Sequence, residues 1–101
     1  MYAVIFKAHL KTVSAAIQTD YAILASKMRS LAKEKYACTE FVCVTENEQE
    51  LAISYWNSLD DINKWKADAE HLAAQKLGKE QFYQAYQVQV VEVLREYQEE
   101  L

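Results

Sequence analysis

The residues of this chain able to do chemistry are few, and they crowd into one stretch. Between Ala52 and Gly78 lie both tryptophans, Trp56 and Trp65, the single glycine, one of the two histidines, His71, and the amide side chain of Gln75. An imidazole exchanges a proton near neutral pH, and an indole N–H or an amide beside it can hold a polar ligand atom. A base, hydrogen-bond donors and aromatic walls together suit acid–base work on a small ligand held in a dry pocket. Asp60 and Asp61 invite a metal or acid/base role, but they follow Ser58 at the start of a helix, where capping and the helix dipole account for them. Cys38 and Cys43 form no CxxC and have no histidine nearby, so zinc-ligand and redox spacings are both absent. His9 likewise has no cluster beside it, and no metal site is expected.

The elements that must position these groups follow from hydrophobic pattern. Tyr2 to Leu10 is rich in aromatic and β-branched residues and reads as a first strand. Lys11 to Gln18 reads as a loop, with Ser14 or Thr19 available as an N-cap. Tyr21, Leu24, Ala25, Met28, Leu31 and Ala32 then recur at helical spacing and define one apolar stripe. Lys27, Arg29, Lys33 and Lys35 read as the solvated face of that helix. A second strand is expected at about Thr39 to Thr45, a polar hairpin connection at Glu46 to Glu50, and a third strand over Ala52 to Trp56. Ser58 caps a second helix whose stripe is Leu59, Ile62, Trp65, Ala69, Leu72 and Ala73, and Gly78 reads as its left-handed C-terminal cap. A short helical turn over Lys79 to Tyr83 and a fourth strand from Tyr86 to about Tyr97 complete the chain. At 100° per residue a regular helix turns His71 about 120° from Trp65, toward Asp68 and Gln75.

Strand, helix, strand, strand, helix, strand is the ferredoxin-like βαββαβ arrangement, an α+β fold with a four-stranded antiparallel sheet and its helices on one face. Residues 1 to 101 read as a single domain. Adjacent apolar pairs such as Ile5 and Phe6, Cys43 and Val44, and Val90 and Val91 point to opposite faces of the sheet, so the face away from the helices also needs cover. A second copy of the same sheet supplies it most simply, and a homodimer resembling a barrel is expected. The net charge of −4 and the lack of clustered Lys and Arg argue against a nucleic-acid partner. No segment approaches the ~20 apolar residues of a membrane span and no leader pattern is visible, so a cytoplasmic protein without a membrane partner is expected.

Those residues also carry a resemblance. Ile53-Ser54-Tyr55-Trp56, Ser58, Asp61-Ile62, Trp65-Lys66, Glu70-His71, Ala73-Ala74-Gln75 and Gly78, followed by Phe82-Tyr83, Tyr86, Val88, Val90, Val93, Arg95 and Tyr97, resemble the antibiotic biosynthesis monooxygenase family, with Tyr21, Leu31-Ala32 and Tyr36 matching its first half. The resemblance implies the dimeric α+β barrel fold and a small-molecule pocket in each subunit. It further implies a cofactor-independent monooxygenase acting on a small electron-rich aromatic substrate, quinol or polyketide-like. On that reading His71 and Trp65 are the catalytic residues, and Trp56, Tyr55, Gln75 and Tyr83 bind substrate. A haem-degrading branch of the family is similar at Trp56 and Trp65, so haem as substrate or ligand is the alternative. In that branch Gln75 stands where an iron-ligating histidine falls, and Lys7 or Ala8 where an asparagine falls. A non-catalytic small-ligand-binding dimer is the third reading.

Overall fold

The computed structural model describes residues 1 to 101. The chain runs β1 (Tyr2–Leu10), α1 (Ala15–Lys35), β2 (Glu40–Glu46), β3 (Gln49–Trp56), α2 (Leu59–Ala67), α3 (Ala69–Leu77), a π-helical turn (Gly78–Phe82) and β4 (Tyr83–Glu92). The strands form one antiparallel sheet in the order β2-β3-β1-β4. This is the expected α+β, ferredoxin-like architecture. No helix is long and apolar enough to cross a membrane.

Register decides which side chains meet the helices. Val4 lies opposite Ser54 and Val90, Phe6 opposite Ala52 and Val88, and Ala8 opposite Glu50 and Tyr86. On β2, Phe41 lies opposite Ser54 and Cys43 opposite Ala52. Paired residues in an antiparallel sheet share a face, so all of these belong to the helix side. The other face presents Ile5, Lys7, Val42, Val44, Leu51, Ile53, Tyr55 and Val91, and no element of the chain covers it. Val42, Val44 and Val91 remain 46%, 58% and 36% exposed there.

The core is small and sits at one end of the helix face. Val4, Ala32, Cys38, Trp56, Ile62 and Trp65 form its buried cluster, with Tyr2, Leu31, Tyr36 and Phe41 packed against it. The α1 stripe therefore divides. Its C-terminal part enters this core, and its N-terminal part roofs a cavity.

Several boundaries differ from the sequence expectation, each for a local reason. Ser14 is the N-cap, its Oγ accepting from the Ile17 N–H at 3.3 Å, so α1 begins inside the stretch read as loop. The β2–β3 connection is only Asn47-Glu48, both in the left-handed region with φ of 49° and 65°. That geometry matches the twist of the flanking strands and draws Gln49, Glu50 and Leu51 into β3. The second helix is two: Asp68, with extended backbone (ψ 136°), ends α2 and caps α3. Leu59 and Leu72 are about half exposed rather than part of a buried stripe.

Gly78 is not a left-handed cap. Its φ is −59°, and the chain continues through the π-helical turn. The glycine is required for space, since a Cβ there would run into the Tyr83 ring. β4 begins at Tyr83 and ends at Glu92, so Val93 to Tyr97 lie outside the sheet.

Candidate functional site

Between the helices and the sheet lies a cavity of about 380 Å³, a size typical of small-molecule sites. Its floor is Val4 and Phe6 of β1, Phe41 and Cys43 of β2, Glu50 and Ala52 of β3, and Val88 of β4. Its roof is Tyr21, Leu24, Ala25, Met28 and Arg29 of α1, with Trp65 of α2 and His71, Ala74 and Gln75 of α3. Ala25, Ala52 and Ala74 line this space. Each carries only a Cβ where a larger apolar residue would fill the volume.

Trp65 and His71 meet in this cavity. Their ring centroids are 4.4 Å apart with planes at 69°, an edge-on contact. This corrects the regular-helix expectation that the two point apart, and Asp68 is the reason. The Asp68 Oδ1 accepts the Glu70 N–H at 2.8 Å, starting a new helix, while its Oδ2 accepts the Tyr36 hydroxyl and lies 3.4 Å from Lys35 Nζ. Those contacts hold its carboxyl below the ordinary carboxylate range, the tyrosine hydrogen bond contributing most. The break resets the helical phase and swings His71 back over the Trp65 ring.

Of the other residues expected to bind substrate, Gln75 and Tyr83 line the cavity. Trp56 does not: it is wholly buried in the core, its Nε1–H donating to Ser54 Oγ at 2.8 Å and its ring 5.1 Å from that of Trp65. Trp56 is the wall behind Trp65. Tyr55 projects from the uncovered face of the sheet, opposite Ala3 and Glu40, and cannot reach the cavity.

The electrostatics of the site are those of a dry enclosure. Burial, aided by the Lys66 charge and partly opposed by Asp68, pushes the His71 imidazole below its ordinary value, so it is neutral at pH 7. Burial raises the Glu50 carboxyl to about 7 and raises the Cys43 thiol, against the opposing charge of Arg29. The Tyr83 hydroxyl is held well above the usual phenol range, mainly by burial and further by Glu50 and Cys43.

Four buried side-chain polar atoms in the protein have no hydrogen-bond partner: Arg29 Nε, Glu50 Oε2, Trp65 Nε1 and His71 Nδ1. All four residues line this one cavity. Unsatisfied buried polar groups are rare and costly in folded proteins, and their convergence marks the place where a ligand would satisfy them.

Three of the cavity's polar residues escape sequence reasoning. Arg29 was expected on the solvated face of α1, yet it sits beside Met28 at the stripe's edge, with its guanidinium 5.9 Å from the centroid of the Phe41 ring. Glu50 was expected in a polar hairpin connection. Its available signal was parity, since Glu50, Ala52, Ser54 and Trp56 alternate along one strand face. Cys43, which belongs to no metal or redox motif, donates from Sγ to Glu50 Oε1 at 3.1 Å.

This fold, a single four-stranded sheet with a ligand-sized cavity beneath its helices, is that of the antibiotic biosynthesis monooxygenases. A solved antibiotic biosynthesis monooxygenase superposes with a TM-score of 0.74 at 12% identity, covering 94% of this chain and all of that one. Rv0793 of Mycobacterium tuberculosis gives 0.78 at 13% identity, covering 96% and 98%. SnoaB of Streptomyces nogalater, a cofactor-independent oxygenase, gives 0.77 at 7% identity over 97% of each chain. In sequence the chain is 35% identical over 96 residues to YqjZ of Bacillus subtilis, an uncharacterised protein, covering 94% of this chain and 81% of that one. The chain belongs to one family with YqjZ, built on the antibiotic biosynthesis monooxygenase fold. No family model matches it.

Proposed function

We propose that this protein is a cofactor-independent monooxygenase that takes a small, electron-rich aromatic substrate of the quinol or polyketide type into the cavity. The observation that carries the proposal is the convergence there of four unpartnered buried polar atoms among aromatic and aliphatic walls. The Trp65 indole N–H and the neutral His71 imidazole present hydrogen-bonding atoms to the substrate, and Gln75 and Tyr83 complete the wall around it. The apolar surroundings keep water from an anion formed inside. The free thiols of Cys38 and Cys43 suit a reducing, cytoplasmic setting.

Oxygen uptake by the pure protein with a panel of hydroquinones and anthrones tests this directly. Turnover is expected with at least one of them, falling by about a hundred-fold or more in His71→Ala and Trp65→Phe, the usual scale for loss of an acid–base or hydrogen-bonding group. An inactive panel with the native protein rejects the oxygenase.

One observation favours a second reading, haem as the ligand: the His71 imidazole opens into the cavity with Nδ1 unpartnered, although Gln75 stands where the haem-degrading branch places its histidine. Haemin titration separates the two. A saturable Soret shift lost in His71→Ala supports haem binding, and no shift removes it.

A further inference from the structure

Glu50 is the least explained side chain in the molecule. It is 6% exposed, it forms no ion pair, and its only hydrogen bond is the one it accepts from the Cys43 thiol on Oε1. Oε2 is buried and free. Nothing in the packing requires a carboxyl there, since the next positions on the same strand face are Ala52 and Ser54, and a buried acid without a cation weakens the fold. Such groups concentrate at functional sites.

Its position matters as much as its burial. The floor steps from Glu50 to Ala52, beside Cys43, and on to Phe41 of β2, whose ring lies 6.2 Å from that of Trp65. On the roof, the cavity runs from Tyr21, whose ring packs on Tyr83 at 5.9 Å, to Arg29, whose guanidinium lies by Phe41. Those eight residues of helix span about 12 Å. The cavity is therefore elongated, with Trp65 and His71 toward one end, Glu50 and Tyr83 toward the other, and Cys43 between them within reach of the Arg29 charge. A ligand that satisfies both ends carries a polar group at each.

We propose that Glu50 is a proton-accepting residue of this cavity: its free Oε2 takes the proton of an aromatic hydroxyl at the end of the ligand remote from Trp65, while the Cys43 thiol holds Oε1 in place. The ligand O–H bond breaks, the Oε2–H bond forms, and the bonding pair stays on the ligand oxygen as an aryloxide. This rests on the aromatic-ligand reading above and adds the ligand's class, an elongated phenol with a second polar group at the Trp65 end. The chemistry of the pair fits. A phenol titrates near 10, and burial brings Glu50 from the ordinary 4.5 to about 7, narrowing the mismatch a proton transfer must cross. The titratable and charged groups facing Glu50 across the cavity are Cys43 of β2, Tyr83 and Tyr86 of β4, Tyr21 and Arg29 of α1, Lys66 of α2 and His71 of α3, and Lys7 and His9 of β1 and Glu46 of β2 share with it a second, more open hollow.

The test compares 2-naphthol with its methyl ether, 2-methoxynaphthalene, as probes of the full chain, reading the quenching of tryptophan fluorescence at about pH 5.5 and about pH 8.5. The preference for naphthol over ether is expected to rise about ten-fold from the lower pH to the higher, as a hydrogen bond to a charged acceptor replaces one to a neutral acid. In Glu50→Gln, folded by circular dichroism, the preference is expected to be the same at both pH values. A native preference that does not change with pH, or a pH dependence that survives in Glu50→Gln, overturns the role of Glu50 while leaving the aromatic site standing. Failure of both probes to bind at either pH overturns the aromatic-ligand reading and this one with it.

Discussion

At the scale of single residues, Glu50 sets a pH dependence of stability that runs opposite to the common carboxylate case. Its folded-state value of about 7 lies above the ordinary 4.5, so between those limits the native state holds a proton that the unfolded chain has released. Stability from this group is complete below about pH 4.5 and is lost as pH rises through 7. A shift of that size corresponds to about 3 kcal/mol. Glu50→Gln removes the titration while keeping the shape, and is expected to be more stable than the native protein at pH 8 but not at pH 4.5, by urea unfolding at several pH values. His71, depressed by burial, acts in the other direction and is lost from the comparison because both proteins carry it. Equal gains at both pH values would show that Glu50 ionises as freely in the folded chain as in the unfolded one. The sequence conceals this residue because it is one of four glutamates between Glu40 and Glu50, and composition cannot say which of them a strand turns inward.

At the scale of elements, the decisive feature is the break at Asp68. Leu59 to Leu77 has no proline and no internal glycine, and by propensity it reads as one helix. The break comes from partners remote in sequence, the Tyr36 hydroxyl and Lys35 at the end of α1, which fix the Asp68 carboxyl as a cap. Asp68→Ala is expected to lower the melting temperature and to loosen the contact between Trp65 and His71, weakening binding of an aromatic probe such as 2-naphthol. Tryptophan emission and probe titration check both effects, and a variant that binds as tightly as the native protein would show that the capping contacts do not hold the site. The π-helical turn that follows has the same character. Gly78 is small because Tyr83 lies against it, a contact that no local pattern announces.

At the scale of the whole molecule, the sheet face away from the helices is the outstanding surface. Ile5, Val42, Val44, Leu51, Ile53, Tyr55 and Val91 share it by register, and an apolar sheet face of this extent in a protein this small calls for cover. We propose that a second copy of the sheet covers it in a homodimer. Ile53→Lys, at the centre of that face, is expected to convert the dimer to monomer in sedimentation or light scattering, with the cavity on the opposite side still formed. A native protein that is monomeric at micromolar concentration would reject the dimer.

The sequence by itself determined the order of elements, the antiparallel sheet, the single-sided helices and the presence of Trp65 and His71 in the central helical stretch. Strand and helix periodicities are local, and an alternating or three-to-four-residue apolar pattern has few ways to be buried. Tertiary structure decided the site. It took Trp56 out of the cavity and into the core, left Tyr55 on the far face, brought His71 onto Trp65 through the break at Asp68, and turned Arg29, Cys43 and Glu50 inward. Each of those outcomes depends on a partner distant in the chain, and a pattern read along the sequence carries no information about which distant side chain lies across a cavity.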